Sequence, residues 1–225
     1  MTNSIFVTGT DTNVGKTVII GCLAHALKMF GKRVCIYKPV QCGNLLKGAL
    51  KSKDLHLAGK ISGIGNDSLA NDYCFELATS PHLAAEREKI KIDTGKIRRH
   101  FEKLKKGFDF VLVEGAGGLM VPITREYTVL DLMESFASPA LVVARASLGT
   151  INHTTLTIKA LQQRGIRIKG VILNCFSGGL IEDDNEKIIS TLNDVLVIGK
   201  VPYSKNFKRL AGDFKKYIQM DIIME

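Results

Sequence analysis

Six short runs of β-branched and other apolar residues punctuate the chain: Ile5 to Thr8, Val34 to Tyr37, Phe110 to Val113, Leu141 to Ala144, Val171 to Leu173 and Val195 to Ile198. Each is apolar at consecutive positions rather than alternating, which is the pattern of a strand buried on both faces. Between them lie amphipathic stretches, Lys16 to Phe30, Asp93 to Lys106, Asn152 to Arg164 and Asp183 to Asn193, with Gly31 and Gly165 where helix-ending glycines belong. Parallel neighbours need a long crossover, and a helix supplies it. The alternation predicts an α/β fold: a doubly wound, mainly parallel sheet with helices on both faces. Residues 43–88 are less regular, with Gly48, Gly59, Gly63, Gly65 and the Ser80-Pro81 turn signal, and are expected to form loops and short helices above the sheet.

A chain of 225 residues reads as one domain spanning 1–225, since a single core can grow to this size. Hydrophobic residues at 45% and charged residues at 24% exclude disordered and fibrous classes. The formal net charge of +9 favours anionic partners, nucleotide phosphates and a carboxylate substrate among them. The densest basic stretch, Lys96 to Lys106, also carries Ile97, Phe101 and Leu104 at helical spacing, so it reads as the solvated face of a helix and no nucleic-acid partner is expected. Cys22, Cys35, Cys42, Cys74 and Cys175 form no CxxC pair and no Cys/His cluster, which argues against zinc and disulfides and for a reducing cytoplasm. No apolar run approaches the roughly 18 residues of a membrane span, so neither a membrane partner nor export is expected.

The first apolar run leads into Thr8-Gly9-Thr10-Asp11-Thr12-Asn13-Val14-Gly15-Lys16-Thr17 and then an apolar helix. Strand, glycine loop and helix are the context of a nucleotide phosphate loop. Glycine lets backbone N–H groups turn inward around phosphate oxygens, and the helix N-terminus adds positive partial charge. Asn13, Val14, Gly15 and Val18 are nucleotide-binding candidates with Lys16, which reaches the outer phosphates, and Thr17, whose hydroxyl can ligate Mg²⁺. Five residues separate Gly9 from Gly15, so the loop is one residue longer than the common form.

Val111 to Gly118 reads as a second buried strand ending in Glu114 and a glycine-rich turn. If this strand neighbours the first, Glu114 faces the phosphate loop and can ligate Mg²⁺, while Gly117 and Gly118 give substrate close access to backbone. Helix capping or a salt bridge is the alternative for a lone acid. Lys38, in Tyr37-Lys38-Pro39-Val40 at another strand end, can stabilise a negatively charged intermediate as a point charge, or be solvated surface.

Together the phosphate loop, the YKPV segment, Glu114-Gly-Ala-Gly-Gly, Thr79-Ser80-Pro81-His82 and Leu148-Gly149-Thr150-Ile151-Asn152-His153 resemble the dethiobiotin synthetases in identity and order. The loop and the EGAGG piece also occur in related amidotransferase and partition families; the SPH and LGTINH pieces make the resemblance specific. A partition or cytoskeletal-type P-loop ATPase is the alternative, but it carries a second lysine early in the loop, where this chain has Asp11.

The resemblance implies a P-loop NTPase-like, ATP- and Mg²⁺-dependent cyclo-ligase acting on 7,8-diaminononanoate and CO₂. A carbamate forms on one amine, ATP converts it to a carbamic-phosphoric anhydride, and the second amine closes the cyclic urea of dethiobiotin. On this resemblance Lys38, Lys16 and Thr12 are catalytic, while Thr17, Asp54 and Glu114 hold Mg²⁺. Thr12, Lys38, Cys42, Gly117 and Gly118 contact the substrate, and Asn174 and Pro202 lie near the purine, without selecting one base. The free backbone N–H groups of Thr150, Ile151 and Asn152 receive the substrate carboxylate from the neighbouring subunit of a homodimer; on local sequence alone, capping of its own helix by Thr150 or Asn152 is the favoured alternative. Cys42 stands where many members have a serine, so a weaker thiol donor replaces a hydroxyl. Positioning and charge neutralisation supply phosphoryl transfer, so His25, His56, His82, His100 and His153 are read mostly as structural or solvated.

Overall fold

The computed structural model describes residues 3–43 and 52–225. Along the chain run β1 (Asn3–Gly9), α1 (Lys16–Met29), β2 (Val34–Tyr37), β3 (Val40–Cys42), α2 (Lys53–Ser62), β4 (Leu69–Ala70), β5 (Tyr73–Phe75), α3 (Pro81–Arg87) and α4 (Thr94–Gly107). They are followed by β6 (Phe110–Glu114), β7 (Pro122–Thr124), β8 (Tyr127–Thr128), α5 (Val129–Phe136), β9 (Ala140–Arg145) and α6 (Thr150–Gln163). The last are β10 (Ile168–Phe176), α7 (Leu180–Asn193), β11 (Val197–Pro202), α8 (Phe207–Asp213) and α9 (Met220–Met224).

Among the described residues seven strands form one parallel sheet in the order β11-β10-β9-β1-β6-β2-β4. Successive side chains of a strand point to opposite faces, and β1 shows the consequence. Ile5 and Val7 join the apolar cluster shared with α1, α2 and α8, whereas Phe6 joins the cluster shared with α4, α5 and α6. Helices therefore cover both faces, as the unbroken apolar runs predict. The carboxyl ends of β1 and its two neighbours, β6 and β9, converge where ligands bind in such sheets.

The predicted helices α1 and α4 form within a residue of their expected bounds, and Gly31 and Gly165 take φ of 73° and 64° just past α1 and α6. α4 buries Ile97 and Phe101 and leaves Lys96, Arg98, Arg99 and Lys103 exposed. Residues 43–88 are more regular than expected. α2 is capped by Ser52, whose hydroxyl accepts from Leu55 N at 3.2 Å, and β4 extends the main sheet alongside β2. A two-residue strand has no periodic signal of its own, so only the exposed edge of β2 selects it. Gly48 lies outside the described residues.

Other boundaries differ as well, among them β10, expected over Val171 to Leu173 and found over Ile168–Phe176. α6 and α7 begin at Thr150 and Leu180, earlier than their amphipathic patterns indicate: the first turn of α7 projects beyond the packed stripe, with Leu180 and Ile181 exposed, whereas α6 opens on a buried threonine, Thr150, that an apolar pattern does not mark. β11 starts at Val197 and runs on through Gly199 and Lys200, which interrupt the apolar pattern. Glycine is needed there because an added Cβ would stand 2.5 Å from Ile218 Cγ2. Among the described residues no helix is long and apolar enough to cross a membrane.

Candidate active site

The phosphate loop joins β1 to α1. Asn13 and Gly15 take φ of 60° and 99°, the left-handed turns that bring the chain into the helix. At Gly15 a side chain is excluded twice, by that dihedral and by Asn174, whose Nδ2 would lie 2.0 Å from an added Cβ. Asn174 donates to the Val14 carbonyl at 2.8 Å, and Arg145 donates to the Asn13 carbonyl at 3.0 Å. Lys16 is buried and donates to the Asp11 carbonyl at 3.0 Å. Desolvation lowers its pKa to about 8, with Glu114 opposing the shift.

β1 and β6 pair with Val7 opposite Glu114, which brings the acid beside the loop. Glu114 is 1% exposed. Its Oε1 accepts from the Thr17 hydroxyl at 2.8 Å and from the Lys38 ammonium at 2.7 Å. Lys38 also donates at 2.5 Å to Asp54, in the first turn of α2. Burial opposes the charge on Lys38, yet Glu114 and Asp54 outweigh it and hold the pKa above the ordinary lysine value. Lys38 is therefore not solvated surface, and of the alternatives for Glu114 the salt bridge is present, to Lys38, while capping is not, among the described residues.

The second oxygen of this carboxylate, Glu114 Oε2, is buried without a hydrogen-bond partner among the described residues. An orphaned buried acceptor is costly unless a cation or donor reaches it. Two carboxylates and the Thr17 hydroxyl make a set of hard oxygen donors that fits Mg²⁺, which takes one or two carboxylates and completes its shell with phosphate and water.

A cavity of about 480 Å³ opens beside this cluster, and Thr12, Asn13, Lys38, Cys42, Asp54 and Gly117 help to line it. Gly118 is instead turned toward the Gly9 carbonyl, 3.4 Å from where its Cβ would stand. Cys42 ends β3, which is held by parallel pairing with β5, and burial pushes its thiol up to about 11. Asn174 and Pro202 do not line this cavity; they end neighbouring strands, Asn174 against the loop and Pro202 beside Phe176.

Thr150, Ile151 and Asn152 open α6 and likewise lie outside the cavity lining. The N–H of Thr150 is taken by the Ser147 carbonyl at 3.1 Å, so of the three expected free groups only those of Ile151 and Asn152 lack a partner among the described residues. Gly149 is the N-cap and among the described residues no side chain caps this helix, which removes the capping role for Thr150 and Asn152. No histidine lines the cavity. His25 meets the Ser62 carbonyl, His82 the Ser80 hydroxyl and His100 the Asp72 carboxylate.

Sequence reasoning passes over three contributors. Gln41 accepts from the Ser52 hydroxyl at 2.8 Å and so ties β3 to the start of α2, which carries Asp54. Lys53 adds an exposed cation to the cavity wall. Arg145 ends a buried strand at the ligand edge of the sheet, and a charge at such a position is the signal that marks it.

The chain matches the family model described as AAA domain over residues 3–210. The ATP-dependent dethiobiotin synthetase BioD of Fusobacterium nucleatum is 42% identical over 192 residues, covering 84% of this chain and 87% of the relative. That of Nitrosopumilus maritimus is 35% identical and covers 99% of both chains. That of Methanocaldococcus jannaschii is 36% identical, covering 96% of this chain and all of the relative. Among solved structures, the septum site-determining protein MinD with Mg-ADP from Pyrococcus horikoshii OT3 superposes with a TM-score of 0.63 at 18% identity. It covers 96% of this chain and 90% of that one, a likeness of fold alone. Identity of this level along nearly the whole chain, on a P-loop α/β sheet that gathers Lys16, Thr17, Lys38 and Glu114 at one edge, settles the family: the chain belongs to the ATP-dependent dethiobiotin synthetases, the cyclo-ligases of biotin synthesis.

Proposed function

We propose that the cavity binds 7,8-diaminononanoate as its carbamate, beside ATP held with Mg²⁺ on the phosphate loop. The observation that carries this reading is the convergence of Thr17, Lys38 and, through Lys38, Asp54 on Glu114, whose Oε2 has no partner among the described residues. One amine adds to CO₂ and loses a proton to give the carbamate. A carbamate oxygen then attacks the γ-phosphorus and ADP leaves, giving the carbamic-phosphoric anhydride. The second amine attacks the carbonyl carbon, phosphate departs, a proton is lost and the ring closes.

The roles follow from position. Backbone groups of Asn13, Val14, Gly15 and Val18 surround the phosphates, with Lys16 and Thr12 on their oxygens. Thr17, Asp54 and Glu114 would hold Mg²⁺, which when bound would supply divalent positive charge against phosphate oxygens. Lys38 neutralises the carbamate and the charge developing on the transferred phosphoryl group. Cys42, Gly117 and Gly118 border the substrate, and Asn174 and Pro202 the purine. No protein nucleophile is required.

The pocket is completed by a second copy of the chain, whose α6 start, expected to act at Thr150, Ile151 and Asn152, takes the substrate carboxylate on the N–H groups of Ile151 and Asn152. Leu148 and Leu156, 94% and 62% exposed, flank Asn152 at helical spacing and offer apolar surface for that contact. One domain of residues 1–225 carries both sites, and five free thiols suit a reducing cytoplasm.

The test mixes pure protein with ATP, Mg²⁺, bicarbonate and diaminononanoate and looks for the cyclic urea by mass spectrometry. Absence of product, with nucleotide hydrolysis stimulated by DNA or lipid, would favour a partition-type ATPase.

A further inference from the structure

β9 and β10 pair with Arg145 opposite Asn174. From these neighbouring positions two side chains reach the phosphate loop and take consecutive carbonyls. Arg145 Nη2 donates to Asn13 O at 3.0 Å, and Asn174 Nδ2 donates to Val14 O at 2.8 Å. In a planar trans peptide the C=O of one residue points opposite to the N–H of the next. Holding these two carbonyls toward β9 and β10 therefore aims the N–H groups of Val14 and Gly15 the other way.

The loop needs such a restraint. Asn13 sits at φ 60°, a left-handed conformation that a residue with a side chain adopts at some cost, and the loop is a residue longer than the common form. Asn174 is buried, while Arg145 is exposed and reaches the loop from the strand end.

We infer that Arg145 is a positioning residue for nucleotide phosphates: paired with Asn174, it holds the carbonyl face of the loop so that the amides of Val14 and Gly15 are aimed before ATP arrives. The inference rests on the reading of this loop as the ATP site. It places Arg145 on the loop backbone rather than on the base, so its loss weakens any phosphate chain equally, with or without a nucleoside.

Calorimetric titration of wild type and Arg145→Met with ADP and with inorganic tripolyphosphate, both with Mg²⁺, reads this directly. Amide hydrogen exchange over residues 9–17 of the ligand-free proteins accompanies it, with thermal melts to confirm folding. The variant should bind both ligands roughly three- to tenfold more weakly, the worth of one exposed hydrogen bond. It should exchange the loop amides faster, with KM for ATP raised and kcat little changed. Unaltered affinity overturns the inference, as does weaker binding of ADP alone, or weaker binding of both without faster exchange, which would put Arg145 on the phosphate itself. Failure of wild type to bind either ligand would instead remove the loop as the ATP site.

Discussion

The Lys38 ammonium lies 2.7 Å from Oε1 of Glu114, both groups are buried, and the other oxygen of the same carboxylate has no partner among the described residues. A buried ion pair is held by short geometry and by satisfaction of its remaining lone pairs. Here Thr17 and Asp54 supply part of that satisfaction, and a divalent cation would supply the rest.

Glu114→Gln keeps the side-chain volume and an oxygen for Thr17, so the protein should fold. It loses the charge that faces the metal. Turnover should fall by roughly a hundredfold or more, as when a preorganised charge in an active site is removed. Steady-state rates across an Mg²⁺ titration check this, and unchanged activity at limiting Mg²⁺ would take Glu114 out of the metal site.

Lys38→Met leaves the Glu114 and Asp54 carboxylates facing one another without the ammonium. Breaking one partner out of a buried pair costs about 3–5 kcal/mol, so the metal-free variant should melt well below wild type. Because Mg²⁺ binds the folded site, its addition should recover stability, and more so in the variant than in wild type. Thermal melts with and without Mg²⁺ decide it. A variant melting point indifferent to Mg²⁺ would show that the two carboxylates do not hold the ion.

The fold was legible where one strand or helix carries its own periodicity, as in β1, β2, β6, β9, α1 and α4. It was not legible where a neighbour imposes structure, as β2 does on Leu69 and Ala70, or where Ile218 makes Gly199 the residue that fits in mid-strand. The site divides in the same way. Gly15-Lys16-Thr17 is read from contiguous letters, whereas the meeting of Asp54, Lys38 and Glu114 depends on β2 pairing with β6 and on Ser52 fixing the start of α2. Arg145 on Asn13 spans 132 positions, a separation at which local pattern carries no information.

Cys42 lines the cavity with its thiol raised to about 11 by burial. Only the thiolate reacts, so alkylation should be slow at pH 7 and quicken as pH rises toward 11. Once attached, a bulky reagent fills the cavity, so turnover should stop in proportion to labelling and substrate should protect. Cys42→Ser should remain active, since a hydroxyl is the stronger donor. Complete labelling at Cys42 with activity intact would place the residue outside the substrate's path.

The start of α6 tests the shared pocket. The N–H groups of Ile151 and Asn152 have no partner among the described residues, no side chain caps the helix, and the segment does not line the cavity of its own chain. Free donors at a helix N-terminus favour a carboxylate, and one charge-assisted bond should contribute roughly 1.5–3 kcal/mol, or about ten- to a hundredfold in substrate affinity. If that carboxylate belongs to substrate held by the partner's phosphate loop, each pocket needs Lys16 from one chain and Asn152 from the other. Lys16→Ala and Asn152→Trp should then each abolish turnover as homodimers. After subunit exchange in equal amounts, half of the dimers are mixed and each mixed dimer has one intact pocket, so roughly a quarter of wild-type activity should return. The exchange itself is followed by native mass spectrometry of differently tagged chains. No recovery once mixed dimers are present, or full activity from a monomer, would sink the shared pocket, and the donors of Ile151 and Asn152 would then serve some other acceptor.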